Sequence, residues 1–252
     1  MQVNVVTAVH APHAGFLPDA WRSLLAQSHD DWTWLVQTDG PDDAVHKTLA
    51  SCGAAYDPRV RIDGNGTSEG PAVTRNLALG RAHAPLVQNL DADDELEPDA
   101  LSLLAGELES APELGFAVGR ARDLLPDGTL VDHALPVRPG LLPRGALLTG
   151  WATDGRGPYR LPVHPAGTMW RRSLLLTLGG WSALRGMEDT GLLMAASAAG
   201  PGLLLDQPTL RYRKHVGQTS TAPSEFRGGG VQIALIRQRA AVLGGRAPGN
   251  FS

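Results

Sequence analysis

Pro85-Leu86-Val87-Gln88-Asn89-Leu90-Asp91-Ala92-Asp93-Asp94-Glu95 passes from a short apolar segment straight into an acidic cluster. A brief apolar run closed by a burst of charge is the pattern of a buried strand that delivers a loop at its carboxyl end. Asp91, Asp93 and Asp94 place three carboxylates within four residues. They repel one another unless a cation or a donor-rich ligand holds them. Oxygen ligands on a loop suit a hard divalent ion such as Mg²⁺ or Mn²⁺, which keeps waters and bridges substrate phosphates. The competing reading is a solvated acidic loop ahead of a helix that Pro98 starts. So short a motif matches by chance often, and the rest of the chain has to decide.

Upstream, strand and helix signals alternate. Residues 3–9 are a continuous apolar run with β-branched members, as expected of a strand buried on both faces. Pro12 and Gly15 break it, and Phe16, Leu17, Ala20, Trp21, Leu24 and Leu25 then recur with helical spacing. Residues 32–37 predict a second strand, ending at Thr38-Asp39-Gly40-Pro41, and residues 42–52 a helix. A short strand at 59–62 leads to a flexible loop at Gly64, Asn65 and Gly66. Gly70 and Pro71 open a helix, with Pro in the first turn where its missing N–H costs nothing. That helix carries Arg75 and Asn76 and ends near His83, and residues 85–90 form the fourth strand. Repeated β-α-β units predict an α/β fold, a mostly parallel sheet flanked by helices. Ligands of such sheets bind beyond the carboxyl ends of the strands. Thr7 with His10, Asp39, the 64–69 loop leading to Arg75, and Asp91 with Asp93 all fall there. No dinucleotide fingerprint and no P-loop is present.

The second half is less regular. Residues 115–121 predict a strand, and Leu124 to Thr129 a hairpin turn leading to Leu130 and Val131. Residues 136–165 are rich in Pro and Gly and are expected to form a long loop with one short helix near 141–148. An edge strand is expected at 166–170, entering a helix at 171–178 that Gly179, Gly180 and Trp181 interrupt. Glu188 and Asp189 lead a helix to about Ala199, two late strands follow at 203–205 and 209–213, and residues 231–243 are helical.

The chain has 252 residues, 42% hydrophobic and 19% charged, enough for a substantial core. A net charge of −4 offers no overall attraction to nucleic acid or to an anionic membrane. Cys52 is the sole cysteine, so neither an intrachain disulfide nor a cysteine zinc site is available. No signal peptide pattern opens the chain, and no stretch approaches the roughly eighteen apolar residues of a spanning helix. The expectation is a cytoplasmic protein without a transmembrane segment.

The chain resembles a family 2 glycosyltransferase of the GT-A fold from Val3 to about Ser220. The matching segments are Val5-Val6-Thr7-Ala8-Val9-His10, Ser23-Leu24-Leu25-Ala26-Gln27-Ser28, Thr38-Asp39-Gly40, Arg75-Asn76, Asp91-Ala92-Asp93-Asp94, Glu188-Asp189 and Tyr212-Arg213-Lys214-His215. Their order and spacing carry the resemblance. It implies a GT-A-type domain at 1–220, with a nucleotide-sugar-binding half at 1–95 and an acceptor half at 96–220. Residues 221–252 would be an extension with one helix. Such enzymes move a sugar from a nucleotide-diphosphate donor to a nucleophile, and most invert the anomeric centre. The resemblance implies a donor, foremost a UDP-sugar, an acceptor hydroxyl or amine, Mn²⁺ or Mg²⁺, and leaves a homodimer open.

Carried over, the resemblance assigns Thr7, Ala8, His10 and Asp39 to the donor's base and ribose, with Arg75 and Ala92 on the same side. Asp91 is expected near the ribose, Asp93 as the direct metal ligand, and Asp189 as the general base. His215, with Gln218-Thr219-Ser220, matches a loop over the diphosphate and is a second metal candidate. Glu188 and Trp170 fall to acceptor binding or support. Each has an ordinary structural alternative. Asp39 suits a turn, Arg75 an exposed helix charge, His215 a plain loop, and the tryptophans the core. Glu188 and Asp189 also suit a helix start. His10-Ala11 stands where many members have Tyr-Asn, Thr38 where a first Asp is common, and Pro41 where Ser is usual. These departures leave the donor's base and sugar open. Two rival classes are a nucleotidyltransferase, which should carry an early Gly-rich basic loop, and a non-catalytic sugar- or nucleotide-binding protein. Transfer to a small molecule or a glycan suits the chain better than a membrane-threading polysaccharide synthase.

Overall fold

The computed structural model describes residues 1–149, 151, 161–218 and 229–245. Its first half alternates strand and helix: β1 (Val3–Val9), α1 (Leu17–Leu25), β2 (Trp32–Thr38), α2 (Asp43–Ser51), β3 (Val60–Gly64), α3 (Pro71–Gly80) and β4 (Leu86–Asn89). Then follow β5 (Glu95–Leu96), α4 (Ala100–Ser110), β6 (Phe116–Leu124), β7 (Leu130–Asp132), β8 (Gly140–Leu142) and α5 (Ala146–Thr149). The chain continues through β9 (Met169–Arg171), α6 (Arg172–Leu178), α7 (Glu188–Ala199), β10 (Gly202–Arg213) and α8 (Gly229–Leu243). One sheet joins every described strand in the order β3-β2-β1-β4-β9-β6-β10-β5, with β7 on β6 and β8 on β10.

The first four strands are parallel, and the three inner ones, β1, β2 and β4, are buried along nearly their whole length, while β3 stands at the edge. Val3, Val5 and Val9 enter one core cluster while Val6 enters the other, so β1 is covered on both faces. Leu17, Leu24, Leu49, Leu101 and Leu104 supply the first layer from α1, α2 and α4. Trp21 of α1 stacks on Trp34 of β2 with ring centroids 5.9 Å apart. Ala78, Leu175, Leu192 and Ile236 supply the opposite layer from α3, α6, α7 and α8. Among the described residues no helix is long and apolar enough to cross a membrane.

The departures from expectation lie downstream of β4. The strand expected at the sheet edge is β9, and it sits between β4 and β6, antiparallel to both. A three-residue strand carries no periodicity that could name its neighbours. β5 and β8 are too short to read, and the short helix lies at Ala146–Thr149, after β8 rather than across it. The two late strands are one, β10, whose register against β6 shifts on either side of Pro208. That irregularity is what broke the sequence pattern, since Pro cannot donate to the ladder. Part of the expected 136–165 loop, at 150 and 152–160, lies outside the described residues, as do Thr219 and Ser220.

β6 and β10 meet closely because Gly119 has no side chain. A Cβ there would come within 2.7 Å of the Gln207 carbonyl and 2.6 Å of Thr209 Oγ1. Gly119→Ala is expected to destabilise the fold by about 1–3 kcal/mol through overpacking. Thermal unfolding should show a drop of about 2–4 °C per kcal/mol.

Candidate active site

Because β1 to β4 run parallel, their carboxyl ends open on one edge, and the polar residues that follow them share it. Asp39 follows β2, and its N–H donates to the Val9 carbonyl at 2.7 Å, tying it to the end of β1. Its carboxylate accepts from the Glu69 N–H at 2.7 Å, from the Gly70 N–H, from Ser68 Oγ at 3.2 Å and from Asn65 Nδ2 at 3.3 Å. Asp39 therefore shapes the loop that enters α3. Thr7 does not present its side chain at this edge. Its side chain is wholly buried, donating to the Leu90 carbonyl at 2.7 Å and accepting from the Trp34 indole at 2.8 Å. Ala8 is half-buried at the edge, His10 is exposed, and Ala92 is buried.

Asp93 and His215 come together across 122 positions of sequence: His215 Nε2 lies 2.9 Å from Asp93 Oδ2. The other imidazole nitrogen faces the Val216 carbonyl at 3.0 Å. Arg213 fixes this pairing from both sides. Its Nε donates to the Asp93 carbonyl at 2.8 Å and its backbone N–H to Asp94 Oδ1 at 3.0 Å. Asp94 is wholly buried, and burial, with Asp91 and Asp93 nearby, holds its pKa well above the carboxylate range. Its role is to anchor β10, not to face a ligand. Phe16 and His13 close around His215, with ring centroids 4.7 and 5.7 Å away.

The centre of the site is Arg75. It is no exposed helix charge: only 6% of it is accessible. Its guanidinium lies 2.7 Å from Asp91 Oδ1, 3.4 Å from Asp189 Oδ2 and 3.5 Å from Glu188 Oε1. Burial alone would weaken its hold on the proton, but Asp189, Asp91 and Glu188 outweigh it and raise its pKa. Asp189 begins α7 and accepts the Trp181 indole N–H on Oδ1 at 2.7 Å. Burial pushes its pKa up to about 7; Glu188 and Asp91 push the same way, while Arg75 and the Trp181 hydrogen bond oppose. A buried carboxylate that titrates near neutrality can take a proton at physiological pH.

Trp170, offered for acceptor binding or support, lies inside the sheet. It is 2% exposed on β9, against Phe116 at 5.6 Å, and serves the core. Trp181, Asn76 and Arg213 were the residues whose parts the sequence did not disclose. Asn76 and Arg213 belong to matching segments and Trp181 to the break at 179–181, yet the partners that define their parts lie in other elements. Among the described residues no group of three or more His, Cys, Asp or Glu side chains is arranged to hold a metal ion.

The profile of glycosyl transferase family 2 matches residues 5–146, more than half of the chain. The chain belongs to that family. Over 99 residues it is 33% identical to the putative teichuronic acid biosynthesis glycosyltransferase TuaG of Bacillus subtilis, covering 39% of this chain and 38% of TuaG. S. aureus TarS 1–349 in complex with UDP-GlcNAc superposes with a TM-score of 0.69 at 17% identity, covering 96% of this chain and 71% of that one. The mannosyltransferase PcManGT of Pyrobaculum calidifontis, in complex with GDP-Man and Mn²⁺, gives 0.61 at 17% identity, covering 97% and 72%. The fold is the GT-A fold. The chain spans from 9% to 38% of the length of the curated relatives it matches.

Arg75→Met leaves Asp91, Glu188 and Asp189 facing one another without a counter-charge. Removing one partner from a buried pair costs about 3–5 kcal/mol. Without the cation that lowers its pKa, Asp189 binds its proton still more tightly folded than unfolded, so stability falls as pH rises. Urea unfolding at about pH 5 and about pH 8 should show the larger loss at the higher pH.

Proposed function

We propose that this chain is an inverting, metal-dependent glycosyltransferase that moves a sugar from a nucleotide-diphosphate donor, foremost a UDP-sugar, to an acceptor hydroxyl or amine. The observation that carries the reading is Asp189, a half-buried carboxylate 3.4 Å from Arg75, which also holds Asp91 at 2.7 Å on the nucleotide-side edge; desolvation pushes the Asp189 pKa up to about 7. The family assignment supports it. So do the solved structures with the same fold, which hold UDP-GlcNAc or GDP-Man with Mn²⁺.

In this reaction the acceptor oxygen or nitrogen attacks the anomeric carbon, the bond from that carbon to the β-phosphate oxygen breaks, and the acceptor's proton passes to Asp189. A base works best with a pKa near the operating pH. Arg75 stays fixed between the two halves, holding Asp91 on the donor side and Asp189 on the acceptor side. Asp93 and His215 would hold the cation, with diphosphate oxygens and water completing its shell. One carboxylate and one imidazole make a mixed oxygen–nitrogen pair that suits Mn²⁺ better than Mg²⁺. When bound, the cation neutralises charge developing on the leaving diphosphate. The acceptor is best sought among small molecules and glycan ends.

Asp189→Asn should lower kcat by about 10²–10⁴-fold while leaving donor affinity intact. In the wild type, kcat should fall as pH drops below about 7, because the base is lost by protonation. A full-rate Asn variant sinks the assignment. Asp93→Ala and His215→Ala should each weaken Mn²⁺-dependent donor binding in calorimetry. A thermal-shift panel of UDP-, GDP- and dTDP-sugars with Mn²⁺ identifies the donor, and stabilisation by none of them counts against the proposal.

A further inference from the structure

Asp189 has two oxygens in different surroundings. Oδ1 receives the Trp181 indole N–H at 2.7 Å, whereas among the described residues Oδ2 meets the Arg75 guanidinium, at 3.4 Å. Arg75 is closer to Asp91, at 2.7 Å, so it is not what orients Asp189. Trp181 is 2% exposed and is itself rigidly held. Its backbone N–H donates to Asn76 Oδ1 at 2.9 Å, and Asn76 Nδ2 donates to its carbonyl at 2.8 Å. Gly179 and Gly180 make the turn before it, at φ of 76° and 68°. A Cβ on Gly180 would run into Asn76 Oδ1, so the turn requires glycine twice over, for its backbone and for its space. Adjacent residues of α3 thus reach both carboxylate oxygens: Arg75 directly, and Asn76 through Trp181.

We propose that Trp181 is a positioning residue of this site: its indole N–H pins Asp189 Oδ1 and leaves Oδ2 as the oxygen that takes the acceptor's proton. The proposal rests on Asp189 being the base. An indole N–H suits the task because it donates, has no acceptor and does not titrate in the working range. It orients the carboxylate without competing for the proton. The charged groups that also face Asp189 are Arg75 from α3, Glu188 from its own helix and Asp91 from the loop after β4. Without the indole N–H, only Arg75 opposes burial, Glu188 and Asp91.

Trp181→Phe keeps the ring and removes the donor. The acid limb of its kcat profile should move up by about one pH unit and kcat at neutral pH should fall about fivefold, with donor KM unchanged. A second readout needs no turnover. The chain has six tryptophans, and the ¹⁵N-indole resonance missing from Trp181→Phe belongs to Trp181. In the wild type that resonance should titrate with a midpoint near 7, and in Asp189→Asn it should be flat. Should the Phe variant not fold, the resonance that stops titrating in Asp189→Asn identifies it. A wild-type indole spectrum with no titrating resonance, or a folded Phe variant with the wild-type pH profile, overturns the proposal. Full turnover by Asp189→Asn overturns the base assignment instead and leaves the indole titration to be read by itself.

Discussion

A single buried guanidinium holds this site together. Arg75 lies among Asp91, Glu188 and Asp189, which reach it from the loop after β4 and from the start of α7. Three carboxylates this close, Glu188 buried and Asp91 and Asp189 half-buried, repel one another without a cation, and a buried guanidinium without them would be an uncompensated charge. Each side therefore depends on the other. The arrangement also explains why Asp189 titrates near 7 rather than higher, since Arg75 offsets part of what burial and its acidic neighbours impose.

A second device serves the metal-candidate pair. Arg213 reaches Asp19 at 2.7 Å and Glu95 at 2.6 Å, Arg211 reaches Glu95 at 3.4 Å and Glu97 at 2.9 Å, and Arg122 adds to Glu97. This ladder of alternating charge runs from α1 across β5 and β10 to β6. It welds the two-residue β5 to β10, which hydrogen bonds from so short a strand would hold poorly. Single exposed ion pairs contribute little, but these are part-buried and linked. The result is that the loop bearing Asp93 and the segment bearing His215 are fixed to one another by the protein's own ion pairs.

The parallel half of the fold was legible because its inner strands are largely apolar runs separated by turn residues and helix starts. Pro71 marks α3, and the acidic burst after Leu90 marks the end of β4. From there, the shared carboxyl edge followed from topology alone. The antiparallel half was not legible to the same degree. β9 has three residues and β5 two, and such segments take their place from whichever strands flank them. Thr7 and Trp170 are buried because the strands that carry them are covered on both faces, which an apolar run announces without saying what any one side chain touches.

The sequence by itself determined the residue types and their order: an acidic loop after the fourth strand, an acidic pair opening a late helix, and a histidine near the end of a late strand. Those are local facts, written in apolar runs, turn residues and helix starts. Only the tertiary structure decided what each carboxylate does. Asp93 meets His215 across 122 positions, Arg75 meets Glu188 across 113, and Asp94 turns inward to hold β10. Burial sets a carboxylate's proton affinity and the facing side chain sets its orientation, and neither exists until distant segments pack together.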